Sequence, residues 1–283
     1  MPTYPSPYSY LKATSGGTST PDSLLLIKGG QLAKADVQEL DPVTTPPVNS
    51  GPPLSFSSDG VAPTRLQGQT SSSLPFDLLT GQSITVATWV KFNALVGGFQ
   101  RDRVFSIRTG GQNNWIELYV ENNNTIRASC KRIVPVISAD SSPVATGVWY
   151  HVAVVWDHLA TTLTIYVNGA NATTATGTNS NSSNPSVQGV CLAARSQNNC
   201  HQSGFFQDFG IWDKVLAANE VAEIASAGFD LGANSGNYAS SANLKLWWSM
   251  QKRTGNAAAI VDSSGNLNIG SLLGTYTLST DVP

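Results

Sequence analysis

Trp149-Tyr150-His151-Val152-Ala153-Val154-Val155-Trp156-Asp157, followed after a short turn by Leu163-Thr164-Ile165-Tyr166-Val167-Asn168-Gly169, decides the fold. In both runs the apolar residues recur at every second position. That is the period of a strand with one face turned to a core, because successive side chains of a strand point to opposite faces. Trp149, Tyr150 and Trp156 bracket the first run, and its apolar face is expected to pack between two sheets. His151 falls opposite Val152 and reads as a hydrogen-bonding core or rim residue rather than a base. Asn168-Gly169 supplies the positive φ of a tight turn after the second run.

The same signature recurs on both sides. Ser83 to Phe92 alternates, with Ile84, Val86, Thr88, Val90 and Phe92 pointing one way and Thr85, Ala87, Trp89 and Lys91 the other. Val104 to Ile107 and Trp115 to Val120 follow. Thr125 to Cys130 pairs with the latter across Glu121-Asn122-Asn123-Asn124, a hairpin turn. Gln207 to Trp212 is a closing strand. Leu216 to Ile224 is the one convincing helix, with Leu216, Val221 and Ile224 at helical spacing and Gly228 stopping it. Thr173 to Pro185 reads as a polar loop. Many short strands at close intervals predict an all-β, two-sheet antiparallel jelly-roll sandwich. It carries an extended N-terminal arm and a C-terminal extension.

The expected boundaries are 1–50 for the arm or linker, 51–228 for the sandwich, and 229–283 for an extension packed on it. The arm is rich in Pro, Ser, Thr and Gly, with one apolar stretch at Leu24 to Ile27, a weak helical patch at Leu32 to Leu40 and a linker around Pro42 to Pro47. It is too poor in apolar residues to fold alone, so it is either disordered or, as its apolar stretch and Tyr4, Tyr8 and Tyr10 favour, ordered by packing on a partner, with a role in attachment or oligomerisation expected. The extension holds the strand Leu244 to Met250 and an Asx-type turn at Asp262-Ser263-Ser264-Gly265-Asn266.

Composition excludes several functions. Charged residues make up 12% of the chain and the net charge is −2, with no block of Lys and Arg, so no nucleic-acid partner is expected. No apolar run is long enough to insert in a membrane. The first residues lack the basic start and apolar run of a signal peptide, which favours export within a particle, with a trimmed secretory precursor left open. Of the three cysteines, Cys191 and Cys200 could bridge a short loop, or all three with Cys130 are free thiols.

Three segments together resemble the laminin-G/pentraxin, concanavalin A-like jelly-roll family. They are Ile84 to Val90, the pair quoted first ("W-x-H-V-A-V … L-x-I-Y-V-N-G"), and Phe205 to Leu216 with Asn219-Glu220-Val221. The resemblance implies the sandwich fold, and it leaves the ligand open because that fold hosts lectins, adhesion modules, glucanases and particle-surface proteins. Leu246-Trp247-Trp248-Ser249-Met250 with Asp262 to Asn266 is similar to a leader found beside such domains in structural proteins of tailed phages.

By resemblance to pentraxins, calcium ligands would fall on Asn113, Asn114 and Asn198. Amides donate oxygen without charge, so affinity for calcium is expected to be poor; no other cofactor is expected. A glycan site needs an aromatic platform with amide partners. Trp115 beside Asn113 and Asn114, with Gln197, Asn198 and Asn199 as neighbours, supplies that set, and whether Trp115 is platform or core stays open. Glucanases of this fold carry Glu-x-Asp-x-Glu on one strand face; Glu117-Leu118-Tyr119-Val120-Glu121 keeps the outer pair and puts Tyr119 at the centre. Glu121 is expected to be solvated at the mouth of its turn.

The first expectation is therefore a non-enzymatic virion surface protein of a tailed phage: a capsid decoration, head-fibre or tail-appendage component. It would be held to other virion proteins by the arm, adhere to cell-surface glycans and form a homo-oligomer. The alternative is a secreted carbohydrate-binding lectin or adhesion module, and the remote one a glucanase-like hydrolase.

Overall fold

The computed structural model describes residues 27–28, 31–32, 54–61, 64–68, 82–95, 102–109, 115–131, 136–177, 187–195, 200–253 and 259–283. The chain divides into two compact units, Met1–Val48 and Asn49–Pro283. In the first unit β1 (Ile27–Lys28) pairs antiparallel with β2 (Gln31–Leu32). The rest of the expected arm, including Leu24 to Leu26 and the patch after Leu32, lies outside the described residues.

The second unit is an all-β sandwich. Its strands are β3 (Ser55–Asp59), β4 (Arg65–Gly68), β5 (Ile84–Phe92), β6 (Arg103–Thr109), β7 (Trp115–Val120), β8 (Thr125–Cys130), β9 (Ile137–Pro143), β10 (Trp149–Asp157), β11 (Thr162–Val167), β12 (Ala170–Thr176), β13 (Val187–Leu192), β14 (Ser203–Trp212), β15 (Leu244–Arg253), β16 (Ala259–Asp262), β17 (Gly270–Leu273) and β18 (Tyr276–Ser279). One layer runs β12-β11-β10-β5-β14 and is extended by β15, β3 and β18; the other runs β17-β4-β13-β6-β7-β8-β9. The ladder β15-β16-β17 joins them, and every pairing in this unit's named strands is antiparallel.

The quoted pair forms as read. Val154 lies opposite Ile165 in the β10–β11 hairpin and opposite Val86 on β5, and Asn168 and Gly169 turn with φ of 50° and 78°. The inward rows are Ile84, Val86, Val90 and Phe92 of β5, Val152, Val154 and Trp156 of β10, and Ile116, Leu118 and Val120 of β7. Burying such rows on both layers is what makes the sandwich stable.

Three expectations change. Thr173 to Thr176 is not loop but the end of β12, held to β11 by pairs such as Ile165 with Thr173. A polar sequence serves there because an edge strand needs only backbone pairing and gains from having no apolar edge. Ile137–Pro143 forms a strand that the sequence reading passed over, again a serine-rich edge. The expected helix starts two residues later, as α1 (Ala218–Ile224), and covers the outer face of the β5/β10/β14 layer. Ala87 and Ala153 leave it room, and Val221 and Ile224 meet Trp212, Tyr238 and Trp247 in a second apolar cluster.

The segment from 229 onward is stitched into both layers: Gly210 of β14 lies opposite Trp247, and Leu66 of β4 opposite Leu272. All three cysteines are free thiols, with Cys130 and Cys191 buried.

Candidate functional site

The outer face of β13-β6-β7-β8-β9 carries the polar residues, since the inward positions of these strands are taken by the core. Register lines them up in rows. Cys191, Ser106, Glu117, Ser129 and Ser138 lie opposite one another across the centre. Arg108 sits opposite Trp115 on one side of that row, and Tyr119 lies between Arg103 and Arg127 on the other.

Glu117 is the hub. Its side chain is 1% exposed, yet three guanidinium groups reach it. Arg103 Nε donates to Oε2 at 2.9 Å and Arg108 Nε to Oε1 at 2.7 Å. Arg195 Nε stands 3.4 Å from the same Oε1, and the Ser106 hydroxyl donates to it at 3.3 Å. Burial pushes the Glu117 carboxyl up, and the charges of Arg103, Arg108 and Arg195 more than reverse this, so its pKa is lowered. Three guanidinium groups thus converge on one carboxylate, in a chain whose net charge is −2.

Aromatic rings back the cations. The Arg103 guanidinium lies 4.4 Å from the centre of the Tyr119 ring, and that of Arg108 5.9 Å from Trp115. The Tyr119 hydroxyl is 3.0 Å from Ser129 Oγ, which is 2.6 Å from Ser138 Oγ. Arg127 forks onto Asp140 at 2.5 and 2.7 Å and places Nη1 2.7 Å from Glu121 Oε1. Glu121 is therefore buried and ion-paired rather than solvated. At the end of β6, Asp102 is pushed up to about 6 by burial, with the Arg103 charge pulling the other way.

Of the residues singled out from the sequence, Trp115 is described. It is half-buried on this outer face and lies outside the core. Asn113, Asn114, Gln197, Asn198 and Asn199 lie outside the described residues. The described neighbours of those two groups are Trp115, whose ring lies near Arg108, and Arg195, which reaches Glu117. The guanidinium groups were missed by the sequence reading. Alternation marks Glu117 as outward, but Arg103, Arg108 and Arg195 come from other segments that only the register brings to it.

The described carboxylates of this face do not suit calcium, and the candidate amides Asn113, Asn114 and Asn198 lie outside the described residues. Glu117, Glu121 and Asp140 are each engaged by arginine, and such surroundings oppose a cation. Among the described residues, no three His, Cys, Asp or Glu side chains gather as a metal site would require.

The model of the concanavalin A-like lectin/glucanases superfamily matches residues 66–222, more than half of the sequence. The chain belongs to this superfamily. Several solved structures are similar to this chain. A candidate carbohydrate-binding protein from Bacteroides ovatus aligns over 82% of this chain and 61% of its own, at 14% identity and a TM-score of 0.56. A heptameric pentraxin from Limulus polyphemus aligns over 77% and 94%, at 18% identity and a TM-score of 0.47. A carbohydrate-binding module of a Ruminococcus gnavus sialidase, bound to sialyllactose, aligns over 51% and 83%, at 16% and 0.44. At 14% identity the likeness to the Bacteroides protein is one of fold, and this chain spans about three fifths of that protein. A comparison with curated proteins returns no match.

Proposed function

We propose that this chain is a non-catalytic carbohydrate-binding module that takes its ligand on the outer face of β13-β6-β7-β8-β9. The observation that carries the reading is Trp115: a half-buried ring on a polar sheet face, stiffened from beside by the Arg108 guanidinium. A sugar ring buries its apolar face on such a platform while its hydroxyls find donors and acceptors alongside.

The carboxylates on the same face argue for binding over hydrolysis. A glycosidase needs one carboxyl kept protonated and another with free lone pairs on the far side of the bond. Glu117 is held ionised, and its oxygens are occupied by guanidinium groups and a hydroxyl. Tyr119 fills the position between the two glutamates, and Glu121 is paired with Arg127. Asp102 has the raised pKa of an acid but lacks a free carboxylate partner among these groups.

Screening the full chain against an array of plant, bacterial and animal glycans tests this. Binding that weakens roughly tenfold in Trp115→Ala, the worth of one stacked ring, is the expected result. No retained glycan, or an unchanged affinity in Trp115→Ala, refutes the assignment.

Display of such a module on a phage particle stays an expectation of the sequence, resting on the arm and the Trp247-Trp248 tail motif. Co-purification of the polypeptide with intact particles tests it; a secreted module would be found free.

A further inference from the structure

We infer that the ligand of this face is an acidic glycan, one whose sugars carry carboxylate or sulfate groups, bound through Arg195 and Arg108 beside Trp115. This deepens the carbohydrate-binding reading and rests on it.

Three observations lead there. First, charge: Arg103, Arg108 and Arg195 share one carboxylate, Glu117. Arg108 and Arg195 thus share a carboxylate that Arg103 already engages, on a protein whose net charge is negative. Second, Arg108 is 11% exposed, and its Nη2 has no hydrogen-bond partner. A buried donor without an acceptor is costly, and an anionic oxygen placed beside Trp115 would satisfy it. Third, access: Arg195 is 33% exposed, and its contact with Glu117 is the longest of the three. Its guanidinium can turn toward a ligand while Arg103 and Arg108 go on neutralising Glu117.

The chemistry matches. A guanidinium fork meets the two oxygens of a carboxylate, or two of a sulfate, in parallel hydrogen bonds, and the sugar carrying the acid stacks on Trp115. A hydroxyl of a neutral glycan could accept from the Arg108 donor, but only an anionic group also answers the charge of Arg108 and Arg195. Generic adhesion to polyanions is disfavoured by the net charge, so the attraction belongs to this face.

Native gels cast with polysaccharide separate the outcomes, using the full chain. The gels contain polygalacturonate for carboxylate, a sulfated galactan for sulfate, and unsubstituted galactan and dextran as neutral counterparts. Retardation is expected in one or both acidic gels, and which of the two distinguishes carboxylate from sulfate. It should fall with added salt, and drop roughly tenfold in Arg195→Gln, the loss of one charge-assisted hydrogen bond. Arg108→Lys keeps the charge and removes the fork, and should weaken binding as well. Thermal melting of each variant establishes that it is folded. Retardation by neutral gels with none by acidic ones overturns the acidic class and leaves the carbohydrate reading standing. Retardation in acidic gels that neither variant changes overturns the assignment to this face. No retardation in any gel, with no glycan retained on the array, removes both.

Discussion

His151 and Asp208 should make the stability of this protein respond to pH in opposite ways once either is removed. Both line a small cavity of about 10 Å³ between Trp89, Phe229 and Leu231, the room of one water. His151 is 3% exposed and Asp208 8%. Burial pushes His151 from 6.5 down to about 3. Burial pushes Asp208 from 3.8 up to about 7; the Trp247 indole N–H, 3.1 Å from Oδ1, pulls it down, and the Asp230 charge adds to the rise.

Between these values the folded pair holds one proton, on the carboxyl, and the unfolded pair also holds one, on the imidazole. Folding moves the proton without releasing it, so the pair adds no slope from about pH 4 to 6.5. In His151→Leu only the raised Asp208 remains. Its contribution is present below 3.8 and is lost as pH rises toward 7, by about 1.4 kcal/mol per pH unit. In Asp208→Asn only the depressed His151 remains. Its contribution is present above 6.5 and is lost as pH falls toward 3, at the same rate. Asn tolerates the φ of 50° that Asp208 adopts at its bulge.

Urea unfolding followed by tryptophan fluorescence at pH 4.5 and 6.0 reads this directly. Relative to the parent protein, His151→Leu should lose about 2 kcal/mol between the two conditions and Asp208→Asn should gain about as much. The parent cancels the slope that the other carboxylates contribute. Equal slopes in all three proteins, or shifts of the same sign in both variants, would refute the reasoning.

Glu117→Gln keeps the shape and removes the carboxylate that, among the described residues, Arg103, Arg108 and Arg195 share. It should destabilise by about 3 kcal/mol or more, because the buried guanidinium groups lose their counter-charge; a change below about 1 kcal/mol in urea unfolding would contradict the described pairing. Cys191 is 0% exposed and pushed up to about 12 by burial, while Cys200 is partly exposed. A disulfide-exchange reagent should therefore label Cys200 quickly and reach Cys130 and Cys191 only on unfolding, and labelling of none in the folded state would point to a bridge.

The class of fold was legible from alternation alone, and so was the inward face of the β10 strand. Val152, Val154 and Trp156 point to the core because alternation in a strand is a local property, fixed by the geometry of successive residues. The Asn168-Gly169 turn was legible for the same reason. The edges were not: Ala170–Thr176 and Ile137–Pro143 carry no apolar signature, since their place depends on backbone pairing with strands already formed. Nor could the chain show that Leu272, far along it, would lie opposite Leu66. The candidate site divides the same way. Glu117 stands out in the sequence for its spacing from Glu121, and Trp115 reads there as platform or core, with the choice open. That three arginines from separate segments converge on Glu117 was decided only by register between strands, which sets distances that sequence spacing does not contain.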